Sequence, residues 1–261
     1  MSLRKFFYSF LILFIVNYST ITFAQTSSET TAVELEEIVV TAQRREQNIS
    51  DVSQAVQALS GDDLDELNIT NFEEMITLIP GAIQNSTISH GSNVYSIRGV
   101  AASETDGDAT VGYYLDNFAF SIPGRPYAPV TDLYDTERVE VLRGPSGTLY
   151  GLGSLGGTIK VITKDPVIGE FEGSFKATVS EIDDGDSSYT GDIVINAPIS
   201  DNAAIRAVLS IKDIGGWAEI IPSDQTDGNP YEALTGRLKL LVEPNEKTSV
   251  KFTYWRQDCE Q

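Results

Sequence analysis

The sequence predicts an α+β domain followed by antiparallel β-strands long enough to cross a membrane, and three observations predict it. Two helix-start signals stand among short β-branched runs in the first half of the chain. From Phe171 onward the residues alternate between apolar and polar in a series of runs, each of about 10 residues. The connections between those runs are short and long by turns.

With 41% hydrophobic and 21% charged residues in 261, the chain has the composition of folded rather than disordered protein. A net charge of -20, from 38 acidic and 18 basic residues, repels a phosphate backbone and argues against a nucleic-acid partner. One cysteine, Cys259, cannot close an internal disulfide, and one histidine, His90, cannot build a His-rich metal centre. Asp183, Asp184 and Asp186 match no complete calcium loop. The sequence implies no cofactor and no metal. It shows no nucleophile paired with a base, so no catalytic residue is assigned.

At the start, Arg4 and Lys5 precede the apolar run Phe6 to Val16, and Thr22-Phe23-Ala24 places small residues at a cleavage point. This is the layout of a signal peptide over residues 1–24, with a mature chain from Gln25. A retained anchor is the other reading, but the run is short of the ~20 residues a spanning helix needs. Residues 25–48 form a leader. Within it, Glu36 to Ala42 sets Ile38, Val39, Val40 and Thr41 behind two acids, a β-branched run that extends readily and can add to the edge of a partner's sheet. Taken alone, it reads also as the first strand of the domain that follows.

That domain spans residues 49–166. Ser60 with Asp63, and Asn71 with Glu74, have the spacing of reciprocal helix caps, so two short helices are expected there. In the second, Phe72, Met75, Ile76 and Ile79 share a face, and Pro80-Gly81 ends it. The polar stretch Ala82 to Ser96 is expected to be a loop carrying His90. Val111 to Leu115 and Arg138 to Leu142 read as strands, with turns at Gly144 to Gly147 and Gly151 to Gly157. Gly151, Gly153 and Gly156 imitate a dinucleotide-binding loop. The alternating run Thr158 to Thr163 that follows predicts a strand, which supplies no helix N-terminus for a pyrophosphate.

Residues 167–261 hold about five strands. Phe171, Phe175, Ala177 and Val179 face one way against Glu172, Ser174, Lys176 and Thr178; Tyr189, Ile193, Ile195 and Ala197 repeat the pattern against Thr190, Asp192 and Asn196. Ala203 to Lys212, Leu234 to Glu243 and Ser249 to Trp255 follow. Asp201-Asn202 and Pro244-Asn245-Glu246 make short turns, whereas Asp183 to Ser187 and Asp213 to Pro230 make long ones, as in outer-membrane barrels. A soluble β-sandwich would alternate too, which leaves a soluble periplasmic or secreted binding module as the second reading.

Several motifs, in order, resemble those of the TonB-dependent receptor family. Glu36 to Ala42 is similar to the TonB box, Ile97-Arg98-Gly99 to a central motif of the family's plug domain, and Tyr114-Leu115-Asp116 to the strand after it. The longest match is Glu137-Arg138-Val139-Glu140-Val141-Leu142-Arg143-Gly144-Pro145-Ser146-Gly147-Thr148-Leu149-Tyr150-Gly151, continuing through Gly156 to Ile159 and Lys164-Asp165-Pro166. The resemblance implies an α+β plug domain followed by antiparallel transmembrane β-strands of an incomplete, ~22-stranded barrel in the outer membrane of a Gram-negative bacterium. It implies energised uptake of a scarce nutrient, with an iron-siderophore complex as first expectation. The implied partners are TonB, outer-membrane lipid and the extracellular ligand.

The resemblance also assigns residues. Glu37, Ile38, Val39, Val40, Thr41 and Ala42 would pair with TonB; Arg98, Glu140 and Arg143 would hold the plug to the barrel, the arginines through carboxylates on later strands. His90, Asn93, Arg125 and Tyr127 are candidate apical contacts for the ligand. The stretch between Gln25 and the box leaves no room for a signalling domain, and the strands stop short of a closed barrel.

Overall fold

A computed structural model describes residues 39–41, 43–86, 93–102, 107–120, 124–128, 132–151, 153–181, 185–216, 218–220 and 225–260. The first part is built on a five-stranded sheet, in which β3 (Ala55–Ser60) lies beside β8 (Thr136–Arg143), then β9 (Gly157–Thr163), β6 (Val111–Leu115) and β7 (Phe118–Ala119). Only the β6–β9 pair is parallel. Period-two patterning gives the sheet two different faces. Val139, Val141, Ile159, Val161, Val111 and Tyr113 turn to one side and form a core with Leu64 of helix α1 (Gly61–Glu66) and with Phe72, Met75 and Ile76 of helix α2 (Phe72–Thr77). The opposite face carries Leu142 and Tyr150, packed with Val40, and also the buried Glu140 and Lys160, which pair across β8 and β9.

Both expected helices are present. Ser60 and Asp63 satisfy each other reciprocally at the start of α1. At α2 the cap is offset by one residue: Asn71 accepts from the Glu74 N–H at 2.8 Å, while the Glu74 carboxylate accepts from the Thr70 N–H at 3.2 Å. The stretch expected as a loop is different. Strands β4 (Ala82–Ser86) and β5 (Val94–Ile97) pair there as an antiparallel hairpin. Val94, Tyr95 and Ile97 are buried, Tyr95 with its ring 5.5 Å from that of Phe72. Their burial against the core overrides the turn-prone residues between them. The turns expected after Gly144 also enclose a short helix, α3 (Gly147–Tyr150), which buries Tyr150.

The second part is a meander of five strands, each antiparallel to the next: β10 (Glu172–Glu181), β11 (Ser187–Ser200), β12 (Ala203–Ile214), β15 (Tyr231–Asn245) and β16 (Thr248–Glu260). Two short strands, β13 (Ala218–Ile220) and β14 (Gln225–Gly228), pair within the long connection before β15. The four longest strands run to 14, 12, 15 and 13 residues, beyond the expected length, because the ladder continues past the apolar stretch on each. Short turns at one end alternate with long connections at the other.

Which face is covered decides between the two readings of this sheet. Phe175, Val179 and Phe252 are 63%, 65% and 59% exposed, whereas Asn196, Arg206 and Ser210 on the opposite face are 0%, 3% and 2% exposed. The polar row packs against the α+β domain and the apolar row stands free. A soluble sandwich buries its apolar rows, so that reading is corrected: the arrangement is that of strands with a lipid face and an aqueous face.

Gly61 opens α1 where the helix touches β8. A Cβ there would lie 1.9 Å from the Thr136 carbonyl oxygen, which belongs to a backbone fixed in the sheet. Gly61→Ala is therefore expected to destabilise the domain by about 3 kcal/mol, at the upper end of overpacking costs. Protease protection of the α1–β3 region, compared between the two forms, measures it.

Candidate functional site

The segment singled out for partner binding folds back on the α+β domain. Strand β1 (Val39–Val40) pairs with β2 (Gln47–Asn48), Val39 opposite Asn48 and Val40 opposite Gln47. Val40 is fully buried and Val39 is 45% exposed. The Thr41 N–H donates to Glu140 Oε1 at 2.7 Å, and its hydroxyl accepts from Lys160 Nζ at 2.8 Å. Arg138 Nε donates to the same Glu140 oxygen at 2.9 Å. Beyond the turn, Arg44 donates through Nε to the Leu149 carbonyl at 2.8 Å, with its guanidinium 5.0 Å from the Tyr150 ring centre and 5.8 Å from that of Tyr114. Burial pushes the Lys160 ammonium below its ordinary value, opposed by Glu140. Burial, with Glu140 second, raises Tyr150 to about 12. A cavity of about 1170 Å³ adjoins this seat, lined among others by Val39, Thr41, Arg44, Lys160 and Lys239.

A second constellation joins the α+β domain to the strand sheet, and its polarity is uniform. Among the described residues, every ion pair across it sets an aspartate of the domain, or of the segment leading out of it, against a cation of the sheet: Asp132 with Lys212, Asp135 with Arg206 and Arg237, Asp116 with Lys239, and Asp165 with Lys239 and Lys251. Burial alone would raise the Asp165 carboxyl, but hydrogen bonds and charge from Lys251 and Lys239 outweigh it and hold it below its ordinary value. A depressed carboxyl contributes stability that is fully present above its unfolded value of 3.8, so the contacts of Asp165 with Lys239 and Lys251 hold at neutral pH and are lost as pH falls through the lower folded value. Phe120 adds an apolar contact, edge-on to Trp255 at 5.2 Å. In the outer half of the same interface lies a cavity of about 430 Å³, bordered by Glu73, Asn93, Asp132, Lys212 and Tyr231.

The other expected site residues are scattered. Glu37, Ile38, Ala42 and His90 lie outside the described residues. Asn93 is buried and bracketed, donating to Glu73 and accepting from Gln84 at 2.9 Å, so it braces the β4–β5 hairpin at the border of the cavity of about 430 Å³. Arg125 is exposed and Tyr127 half-buried on the neighbouring segment. Arg98 and Arg143 sit near the Gly144 turn. Arg143 reaches the Pro80 carbonyl at 3.5 Å, and neither arginine meets a carboxylate among the described residues. Glu140 was expected to tie the domain to the sheet. Its carboxylate is fully buried on Thr41 and Arg138 instead, because it lies on the sheet face that receives β1. Asp135, Arg206 and Arg237 were not anticipated. The signal for the two arginines was present as polar residues at period two on β12 and β15, opposite the leucines.

Comparison with known proteins agrees with this geometry. Residues 48–158 match the family described as the TonB-dependent Receptor Plug Domain. The pesticin receptor of Yersinia pestis is 28% identical over 229 residues, 86% of this chain and 32% of the relative. The ferripyoverdine receptor of Pseudomonas aeruginosa is 26% identical over 183 residues, 67% of this chain and 20% of the relative. The chain thus spans a third or less of the length of these relatives. Among solved structures, the ferric yersiniabactin uptake receptor from Yersinia pestis aligns at a TM-score of 0.69 and 23% identity, covering 80% of this chain and 32% of that one. The P. aeruginosa ferripyoverdine receptor bound to ferripyoverdine aligns at 0.69 and 20%, covering 85% and 27%. Residues 48–158 thus carry a match to the TonB-dependent receptor plug domain, seated on the polar face of membrane-length strands, and the chain is similar to receptors of that kind in sequence and in fold.

Proposed function

We propose that the chain serves energised uptake of a ferric siderophore across the outer membrane. The observation that supports this most is the plug packed against the polar face of strands whose apolar face is free. Such a domain blocks a lumen, so passage requires work on it. The similar proteins, a ferripyoverdine receptor and a ferric yersiniabactin uptake receptor, suggest the ligand class. Arg125, Tyr127 and His90 are its proposed apical contacts, with Asn93 shaping the surface from beneath.

In this reading Glu37 to Ala42 is the segment on which TonB acts, and Met1 to Ala24 is removed on export. The docked β1 would leave Glu140 and Lys160 and offer its backbone to a sheet edge of TonB. Arg98 and Arg143 would find their carboxylates on strands other than the five described here. No nucleophile-base pair enters the account, and the chain is proposed as a transporter rather than an enzyme.

Val39→Pro tests the proposal, because proline removes a donor and fixes φ. The expected result is loss of energised uptake with ligand binding unchanged; normal uptake would refute the role of this segment. Glu140→Gln should loosen the seat, since a hydrogen bond to a charged group contributes about 1.5–3 kcal/mol. A spin label at residue 39 is expected to gain mobility while the plug stays folded, and an unchanged spectrum would count against the latch. N-terminal sequencing of the mature protein should begin at Gln25.

A further inference from the structure

Arg206 and Arg237 project from neighbouring strands toward the plug, and both are almost fully buried. Lys239 lies directly opposite Arg206 in the β12–β15 ladder, so three cations crowd one patch of the wall. Like charges placed opposite each other in a ladder repel. On the wall itself, among the described residues, one carboxylate answers them, Glu172, which accepts from Arg206 Nη1 at 3.0 Å. The rest of the compensation comes from the plug, and most of it converges on Asp135.

Its carboxylate takes Arg206 in a fork, from Nη2 at 2.6 Å and Nε at 3.0 and 3.1 Å. Arg237 Nη2 donates to the other side of the carboxylate at 2.9 Å, to the Asp135 carbonyl at 3.0 Å and to the Tyr134 carbonyl at 3.3 Å. Asp135 holds these positions with a φ of 57°, a left-handed conformation that a non-glycine residue keeps only where its surroundings fix it. The side chain is 3% exposed, so water supplies little of the compensation. Planar guanidinium groups demand direction as well as charge, and a fork from one strand plus a clamp from the next admits one placement of the plug.

We propose that Asp135 is the positioning residue that sets the register of the plug in the barrel, by drawing Arg206 and Arg237 of the third and fourth wall strands onto one carboxylate. This rests on the plugged-barrel reading and adds to it a second anchoring system. Its polarity is the reverse of the one attributed to Arg98 and Arg143, with the carboxylate on the plug and the cations on the wall.

The test is performed on the receptor in native outer membranes, with Cys259→Ser removing the exposed thiol and Thr235→Cys placing a probe on the wall two positions from Arg237, under the plug. Maleimide labelling of residue 235 is slow in this parent if the plug is seated. Asp135→Asn leaves Arg237 without its carboxylate and Arg206 with Glu172 alone, and is expected to raise the labelling rate on the order of tenfold or more. Adding Arg206→Gln and Arg237→Gln removes those charges, and the triple variant is expected to return to within about threefold of the parent. If Asp135→Asn fails to assemble while the triple variant assembles, the same non-additivity is shown. Unchanged labelling in Asp135→Asn would overturn the proposal, and so would a triple variant as reactive as the single one. Rapid labelling of the parent itself would instead overturn the plugged-barrel reading on which the proposal rests.

Discussion

Arginine and lysine side chains inside a fold must be matched by carboxylates, and the inner wall of the strand sheet presents Arg206, Lys212, Arg237, Lys239 and Lys251. The plug answers each of them with an aspartate, from Asp116 to Asp165. An isolated pair of this kind adds little net stability, because desolvation offsets attraction. What a set of pairs does provide is a unique fit. The plug cannot rotate or slide along the wall without leaving several charges buried and alone. The same constraint explains why the polar faces of β11, β12 and β15 are buried while their leucine and isoleucine faces stay free. The sheet is inverted relative to a soluble one because its interior is filled by a charged domain and its exterior meets lipid.

The inner end of the plug uses a milder version of the same physics. Glu140 is fully buried and accepts from the Thr41 backbone N–H, the Thr41 hydroxyl and Arg138 together. Lys160 opposes it from β9. The two-residue strand β1 is therefore attached by one fully buried valine and a few hydrogen bonds rather than by a long ladder. A short strand held this way opens at low cost compared with the sheet behind it, where β8 and β9 share a long register. Local instability and global rigidity are thus arranged in one domain. The segment proposed to meet TonB is weakly held, and the sheet that would transmit a pull to the plug is not.

How much of this was legible depended on how local the chemistry is. The caps at Ser60 and Asn71 act over three residues, so their helices could be read directly, even though the Glu74 bond is offset to Thr70. Alternation in the five long strands also lies in the chain; what was missed is the reach of each strand past its apolar stretch and the short β13–β14 pair inside the long connection. The β4–β5 hairpin was hidden because its polar composition signals a loop, while the decisive fact, burial of Tyr95 on Phe72, is tertiary. The resemblance pointed to Arg98, Glu140 and Arg143 as anchors. The described anchor pairs residues 71 and 102 positions apart, and no spacing rule reaches that far. Glu140, selected as an anchor, holds Thr41 beside β1, since the side of a strand on which a residue falls is set by register and not by its type.

The two faces of the strand sheet carry the whole account, and accessibility measured face by face tests them most directly. Spin labels at residues 179 and 252 on one face and 190 and 253 on the other, in native membranes, would be exposed in turn to oxygen and to a water-soluble relaxation agent. The account predicts that 179 and 252 collide with oxygen dissolved in lipid and are shielded from the aqueous agent, while 190 and 253 are protected from lipid by the plug. Free access of the aqueous agent to 179 and 252 would contradict it and return the chain to a soluble fold.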